Sequence, residues 1–185
     1  TYDDQDRMTA YNVNTYTYNR NGELTSKYNT ITTQTSTYTY DVFGNLKQVV
    51  VPSTTIDYEI DASNRRLGRK VGGTLQGRYL YNPEGQLVGQ TSSSNALLKR
   101  YVYASKRHVP DYYIDSAGDK YRIFSDHLGS VRVVMKVSTG VVVQLMEHDE
   151  FGNVIQDTSA GYQPFGFAGG IYDSTTGLVR FGARD

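Results

Sequence analysis

The chain has 185 residues, and 19 Lys+Arg balance 19 Asp+Glu to a formal net charge of zero, so no global field draws it to nucleic acid or a membrane surface. It holds no cysteine, which excludes a disulfide scaffold, a thiol nucleophile and zinc–thiolate sites, and no apolar run nears the roughly 20 residues of a membrane helix. Only 38 % of residues are hydrophobic, but 12 % are aromatic, with 17 Tyr, 6 Phe and no Trp. That balance argues against disorder and suits a sheet with both faces partly wet.

The chain opens Thr1-Tyr2-Asp3-Asp4, with no initiator Met and no signal peptide, and is read as an excised piece of a longer protein. From there one short unit recurs. A weak copy runs from Tyr2-Asp3 to Asp6 and Met8. The pattern is clear at Tyr16-Thr-Tyr18-Asn19-Arg-Asn-Gly22-Glu-Leu24 and at Tyr38-Thr-Tyr40-Asp41-Val-Phe-Gly44-Asn-Leu46. A looser copy, Tyr58 and Asp61 to Asn64, precedes Tyr79-Leu-Tyr81-Asn82-Pro-Glu-Gly85-Gln-Leu87. Then follow Tyr101/Tyr103 to Arg107 and Val109, Ile123 and Asp126 to Gly129 and Val131, and Met146 and Asp149 to Gly152 and Val154. Tyr172-Asp173 to Gly177 is a last copy, longer by one residue. The glycine slot falls at 6, 22, 44, 64, 85, 107, 129, 152 and 177, so nine copies of a roughly 22-residue unit cover the chain.

Spacing gives the unit its physics. Tyr at i and i+2 places two rings on one face of a strand. Asp or Asn then opens a turn, since its side chain bonds the backbone two residues ahead, and Gly three residues on takes positive φ without steric cost. Leu or Val two residues later restarts the alternation, so each motif is a hairpin tip. Between motifs lies a second, variable family of turns: Pro52–Thr55, Gly72–Thr74, Ser92–Asn95, Ser138–Gly140 and Thr158–Gly161. Two turns per unit leave strands of about seven residues. The prediction is all-β: an antiparallel meander of about 16 strands that accumulated twist curls into a barrel wall or spiral. No helix is predicted; the apolar stretch Val131 to Met146 is β-branched and broken at Ser138-Thr-Gly140.

These copies resemble the YD repeats of the RHS (rearrangement hotspot) family. Phe124-Ser-Asp126-His127-Leu128-Gly129-Ser130-Val131-Arg132 is similar to that family's DHLGS element, and Glu147 to Val154 to its YDxFGN element. The segment from Pro164 to Asp185 resembles the start of the RHS-associated core, which divides the chain into a repeat segment, 1–161, and a truncated core, 162–185. The resemblance implies a secreted or surface-displayed bacterial protein whose repeats form a hollow β-shell around a C-terminal cargo or toxin. It also implies release of that cargo by aspartyl self-cleavage. Arg184 stands where the family's self-cleavage Arg would be. The two downstream Asp-Pro-x-Gly aspartates are absent and no Asp-Pro occurs, so this piece is expected to be inert by itself.

Other chemistry competes with bland readings. Asp126, His127 and Ser130 are the types of a hydrolytic triad, but they sit in the turn frame and no Gly-x-Ser-x-Gly elbow exists. His108 and His148 have no ligand-spaced partner, and Asp3-Asp4-x-Asp6 and Asp115 to Asp119 lack the EF-hand pattern, so neither metal nor cofactor is expected. Gly166 to Gly170 is glycine-rich but has no Lys-Ser/Thr and no helix to cradle a phosphate. Residues 61–107 carry nine basic side chains against two acidic ones, net +7, while 1–60 come to −3 and 108–185 to −4. Arg65, Arg66, Arg69 and Lys70 are the candidates for polyanion contact; cross-strand ion pairing is the plainer reading. The tyrosine ladder reads as sheet packing or as a sugar-binding surface.

The function expected is a non-catalytic shell segment enclosing a cargo or toxin polypeptide. Its partners would be the remainder of its own shell and that cargo, with edge-to-edge self-association through unpaired strands. The alternative is a surface adhesion or carbohydrate-binding module that takes glycans. The residues expected to build the turns are Tyr18, Asn19, Gly22, Tyr40, Asp41, Gly44, Tyr81, Asn82, Gly85, Asp126, Gly129, Asp149, Gly152, Tyr172, Asp173 and Gly177.

Overall fold

A computed structural model describes residues 1–184. Fifteen strands follow one another in chain order, with antiparallel pairing between neighbours. They are β1 (Ala10–Tyr11), β2 (Asn14–Tyr18), β3 (Leu24–Asn29), β4 (Gln34–Tyr40), β5 (Leu46–Val51), β6 (Thr54–Ile60), β7 (Arg66–Val71), β8 (Thr74–Tyr81), β9 (Leu87–Thr91), β10 (Leu97–Val102), β11 (Tyr112–Asp115), β12 (Lys120–Ser125), β13 (Val131–Lys136), β14 (Val142–His148) and β15 (Val154–Asp157). A 3-10 turn, Phe167–Gly169, then leads to a separate hairpin, β16 (Ile171–Asp173) and β17 (Leu178–Arg180). The chain is an all-β antiparallel meander.

The hairpin tips explain the repeat. Asn19 N–H donates to the Glu23 carbonyl at 3.0 Å and Gly22 N–H to the Asn19 carbonyl at 3.1 Å. Asn19 Oδ1 accepts from the N–H groups of Asn21 and Glu23, both at 3.0 Å. Gly22 closes the turn at φ +82°. The same bonds recur at Asp41–Gly44, Asp61–Asn64, Asp126–Gly129 and Asp149–Gly152. At each tip the register slips by one residue, so Tyr18 faces Leu24, Tyr40 faces Leu46, Tyr81 faces Leu87 and His148 faces Val154. This is a type I turn followed by a bulge at the left-handed residue, whose twist matches that of the flanking strands.

Two departures from the repeat frame stand out. The copy placed at Tyr101/Tyr103 to Arg107 has no Asp or Asn to open it. A longer loop replaces it, and the carboxylate comes from the far end: Asp111 accepts from Ala104 N–H at 2.7 Å and Ser105 N–H at 2.8 Å. Conversely, Ser92–Asn95 and Asp115–Gly118, on the edge of variable turns, adopt the motif geometry. Ser92 Oγ and Asp115 Oδ1 do the capping, while Asn95 and Gly118 take positive φ.

The chain divides into two compact units, Thr1–Gln76 and Gly77–Ala183. In the first, Tyr38, Val49 and Ile56 lie side by side across β4, β5 and β6 and are buried with Leu46 and Tyr58. In the second, Tyr101, Tyr113 and Tyr121 form one row across β10, β11 and β12. They pack with Leu87, Val109, Ile123, Val131, Val134, Met146 and Phe165. Tyr113 and Tyr121 stack at 4.8 Å, and Phe165 meets Tyr101 edge-on at 5.1 Å. Phe165 arrives on a closing segment, residues 158–170, held to the sheet by Val131 N–H to the Gly166 carbonyl at 3.2 Å and Ala168 N–H to Ser130 Oγ at 2.9 Å.

Candidate functional site

Carboxylate and amide side chains open alternate turns of the meander, at Asn19, Asp41, Asp61, Asn82, Asp126 and Asp149. Burial at the tip would raise the Asp41 carboxyl, but hydrogen bonds from the Asn45 backbone and side chain and from Phe43 N–H outweigh it and hold it below the usual carboxylate range. Asp61 and Asp126 are lowered in the same way, with Arg65 and Arg132 adding to the backbone donors. At Asp149 the Asn153 side chain is the leading cause. Asn45 also reaches from its own turn to Asn64 Oδ1 of the next tip at 2.9 Å, tying neighbouring hairpins together. Tyr172 and Asp173 belong to β16, and Gly177 ends that hairpin's turn at φ +73°.

The triad types are spent on this geometry. Asp126 accepts from Leu128 and Ser130 N–H and from Arg132, Ser130 is buried with its Oγ accepting from Ala168, and His127 is exposed. The acidic clusters are likewise turns. Asp3 Oδ1 takes Gln5 and Arg7 N–H, Asp115 takes Ala117 and Asp119 N–H, and Asp119 pairs with Lys136. Among the described residues no group of three His, Cys, Asp or Glu side chains could hold a metal ion.

The candidate basic band is broken up. Arg65 forms an ion pair with Asp61 at 2.8 Å, and Lys70 approaches Glu59 at 3.5 Å. Arg66 is only 2 % exposed, its guanidinium 3.5 Å from the centroid of the Tyr58 ring, which removes it from any solvent-facing band. Its slot explains the burial: Arg66 faces Ile60 across the bulge, where other copies carry Leu. Arg69 is half-buried opposite Tyr58. Arg184 is exposed beyond β17, next to Asp185, which lies outside the described residues.

A family model described as the Teneurin YD-shell matches residues 1–185. The chain belongs to the teneurin YD-shell family. Teneurin-1 of Gallus gallus is 31 % identical over 191 residues, covering 100 % of this chain and 7 % of the relative. A tRNA3(Ser)-specific nuclease, WapA of Bacillus spizizenii, is 26 % identical over 187 residues, covering 96 % of this chain and 8 % of the relative. A chain of the Photorhabdus luminescens Tc holotoxin pore shares the fold at TM-score 0.54 and 14 % identity, over 92 % of this chain and 11 % of that one. The YD-repeat resemblance therefore holds from end to end, in a family of structural shell domains. This YD-shell segment spans less than a tenth of the length of those two sequence relatives.

Several residues that matter in this YD-shell segment stand outside the repeat frame. Lys99 Nζ donates to the Tyr162 carbonyl and lies 4.5 Å from the Tyr162 ring centroid and 5.1 Å from that of Tyr113. Burial pulls its amine down to about 8, against the opposing pull of Asp115. Gln163 is buried and clamps Phe165, accepting from its N–H at 2.6 Å and donating to its carbonyl at 2.7 Å. A signal for Lys99 did exist: it is two residues before Tyr101 on one strand, so alternation puts it on the tyrosine face. Gln163 carried no such signal, because a non-repeating segment has no period to read.

Proposed function

We propose that this chain is a wall segment of a YD-repeat shell that encloses a C-terminal cargo or toxin polypeptide and does no chemistry of its own. Residues 1–161 are the wall and 162–185 the start of the core that follows it. The match of all 185 residues to a YD-shell family carries the reading. It is supported by a chain whose polar clusters are spent on closing turns, while Tyr101, Tyr113 and Tyr121 form a packed row in the second unit. Arg184 would then contribute to cleavage only together with residues that lie outside this chain. The proposed partners are the remaining repeats and the enclosed polypeptide, and the proposed location is secreted or on a bacterial cell surface.

The test uses the full-length protein. Limited proteolysis should leave the polypeptide C-terminal to the shell intact until the shell is unfolded. If that polypeptide is cut as fast in the native protein as when expressed alone, the enclosure reading is wrong. Glycan binding lost on Tyr-to-Ala substitution would put the adhesion reading in its place.

A further inference from the structure

His148 is the last residue of β14, in a strand where Gln144, Met146 and His148 alternate inward and are buried. Its side chain is 8 % exposed, and neither Nδ1 nor Nε2 has a hydrogen-bond partner among the described residues. A buried imidazole in that state tolerates neutrality far better than charge. Its ring meets Phe167 of the 3-10 turn at 5.9 Å. That turn fits because the neighbouring hairpin tip is a glycine: a Cβ on Gly152 would stand 2.8 Å from the Phe167 ring. Beside it, a Cβ on Gly169 would stand 2.7 Å from the His108 carbonyl oxygen. The closing segment thus rests on a close-packed seat with a titratable ring in its floor.

The charges around His148 come from three elements. β13 and the turn before it bring Arg132 and Asp126, already paired with each other at 3.0 Å. Its own hairpin tip brings Asp149, engaged by Phe151 N–H, Asn153 N–H and the Asn153 side chain. β15 brings Asp157, whose Oδ1 accepts from Gln144 Nε2 and Ser159 N–H. The closing segment presents the Phe167 ring. Burial is the leading influence and lowers the imidazole below its ordinary value; Arg132 adds to it, while Asp126, Asp157 and Asp149 pull the other way.

We propose that His148 is a proton-operated release for the closing segment: the neutral ring seats Phe167, and protonation undocks the Phe167–Gly169 turn. The sign follows from linkage. The docked imidazole binds its proton less readily than one in water, so docking is fully favoured above the ordinary histidine value near 6.5. It weakens as pH falls below that value, where the undocked state holds the extra proton. The cation then gains water that the seated Phe167 excludes. This inference stands whether or not the shell encloses a cargo.

The test is amide exchange on the full chain, corrected for intrinsic rates, at Ala168 and Gly170, whose N–H groups bond Ser130 Oγ and the Phe167 carbonyl. In the wild type, exchange at these two amides should become severalfold faster between pH 7.5 and 5. His148→Phe and His148→Gln should hold one level of protection across that range, and Asp157→Asn should shift the release to lower pH. A ring titration of His148 by NMR in the wild type needs no variant and should report a midpoint below that of a free histidine. Protection that does not change with pH, or that follows the same profile in His148→Phe, overturns the proposal. So does a profile abolished by His108→Gln instead.

Discussion

The two units are built from one repeat and yet pack differently. In Thr1–Gln76 the buried hydrophobic side chains are Tyr38, Leu46, Val49, Ile56 and Tyr58, and the tyrosines of the first hairpins stay half-exposed, Tyr16 and Tyr18 among them. In Gly77–Ala183 ten buried hydrophobic residues make one cluster, with Tyr79, Tyr81, Tyr103 and Tyr162 packed against it. Most turns close with the same bonds in both, although the longer loop capped by Asp111 adds Val109 to the second unit's cluster. What the second unit adds is a non-repeating segment laid over the tyrosine row. The first unit buries Val49 and Ile56 completely without such a segment; in the second, the segment packs on one larger cluster. Phe165 and Tyr162 of that segment lie against the row, in which Tyr113 is completely buried.

Removing the cover should therefore have the largest effect. Phe165→Ala deletes a 2 % exposed ring against Tyr101 and should cost the second unit about 3–5 kcal/mol, the range for a buried Phe. Tyr16→Ala in the first unit, half-exposed at the start, should cost about 1 kcal/mol. Urea denaturation of each variant measures both, and equal losses would mean that the closing segment is decoration.

The glycine slot sharpens the same contrast. Gly22 and Gly152 have nearly the same φ, +82° and +85°, but a Cβ at Gly22 meets nothing within 4 Å, whereas at Gly152 it meets the Phe167 ring at 2.8 Å. Gly22→Ala should cost only the left-handed backbone, about 1–2 kcal/mol. Gly152→Ala should cost that and the displacement of Phe167, about 3 kcal/mol in all. Melting of the two variants side by side separates conformational need from close approach.

Much of this was legible in the residues. Asn19, Asp41 and Asp149 announce their turns because the side chain that opens each one lies in the sequence next to the backbone it caps. Arg66 departs from the expected band because charge along a chain does not tell which face a side chain takes; the bulge in the hairpin decides that. Asp111 carries no such signal, because it caps a loop from its far end. The seat of Phe167 is out of reach of the sequence: it joins residues 148, 152 and 167 through shape, and shape complementarity leaves no period behind.

Lys99 gives the next largest expected effect, one the first unit lacks. Its amine sits at about 8 in the folded chain against an ordinary 10.5, so between those values the unfolded state binds the additional proton. Stability should rise with pH from about 8 upward, before the tyrosines begin to ionise near 10. Lys99→Met should flatten that rise and leave the second unit at least as stable at pH 7, although the bond to the Tyr162 carbonyl is lost. A rise that persists in Lys99→Met would place its source elsewhere.

The smallest effect compares two turns that close with the same bonds and different chemistry. Asp41 caps its hairpin with a carboxylate held below its ordinary value, and Ser92 caps another with a hydroxyl that does not titrate in this range. A lowered carboxyl contributes stability above the unfolded value near 4 and loses it as pH falls through the folded one. Asp41→Ser should keep the turn, cost under about 1 kcal/mol at pH 7 because the tip is open to solvent, and remove part of the acid sensitivity of the first unit. Ser92→Ala should cost a similar small amount by losing two backbone acceptor bonds, with no change in pH dependence. Denaturation midpoints at pH 3 and pH 7 for the two variants decide it. If Asp41→Ser leaves the acid profile of the first unit intact, the carboxylate acts in this turn through its shape and not through its charge.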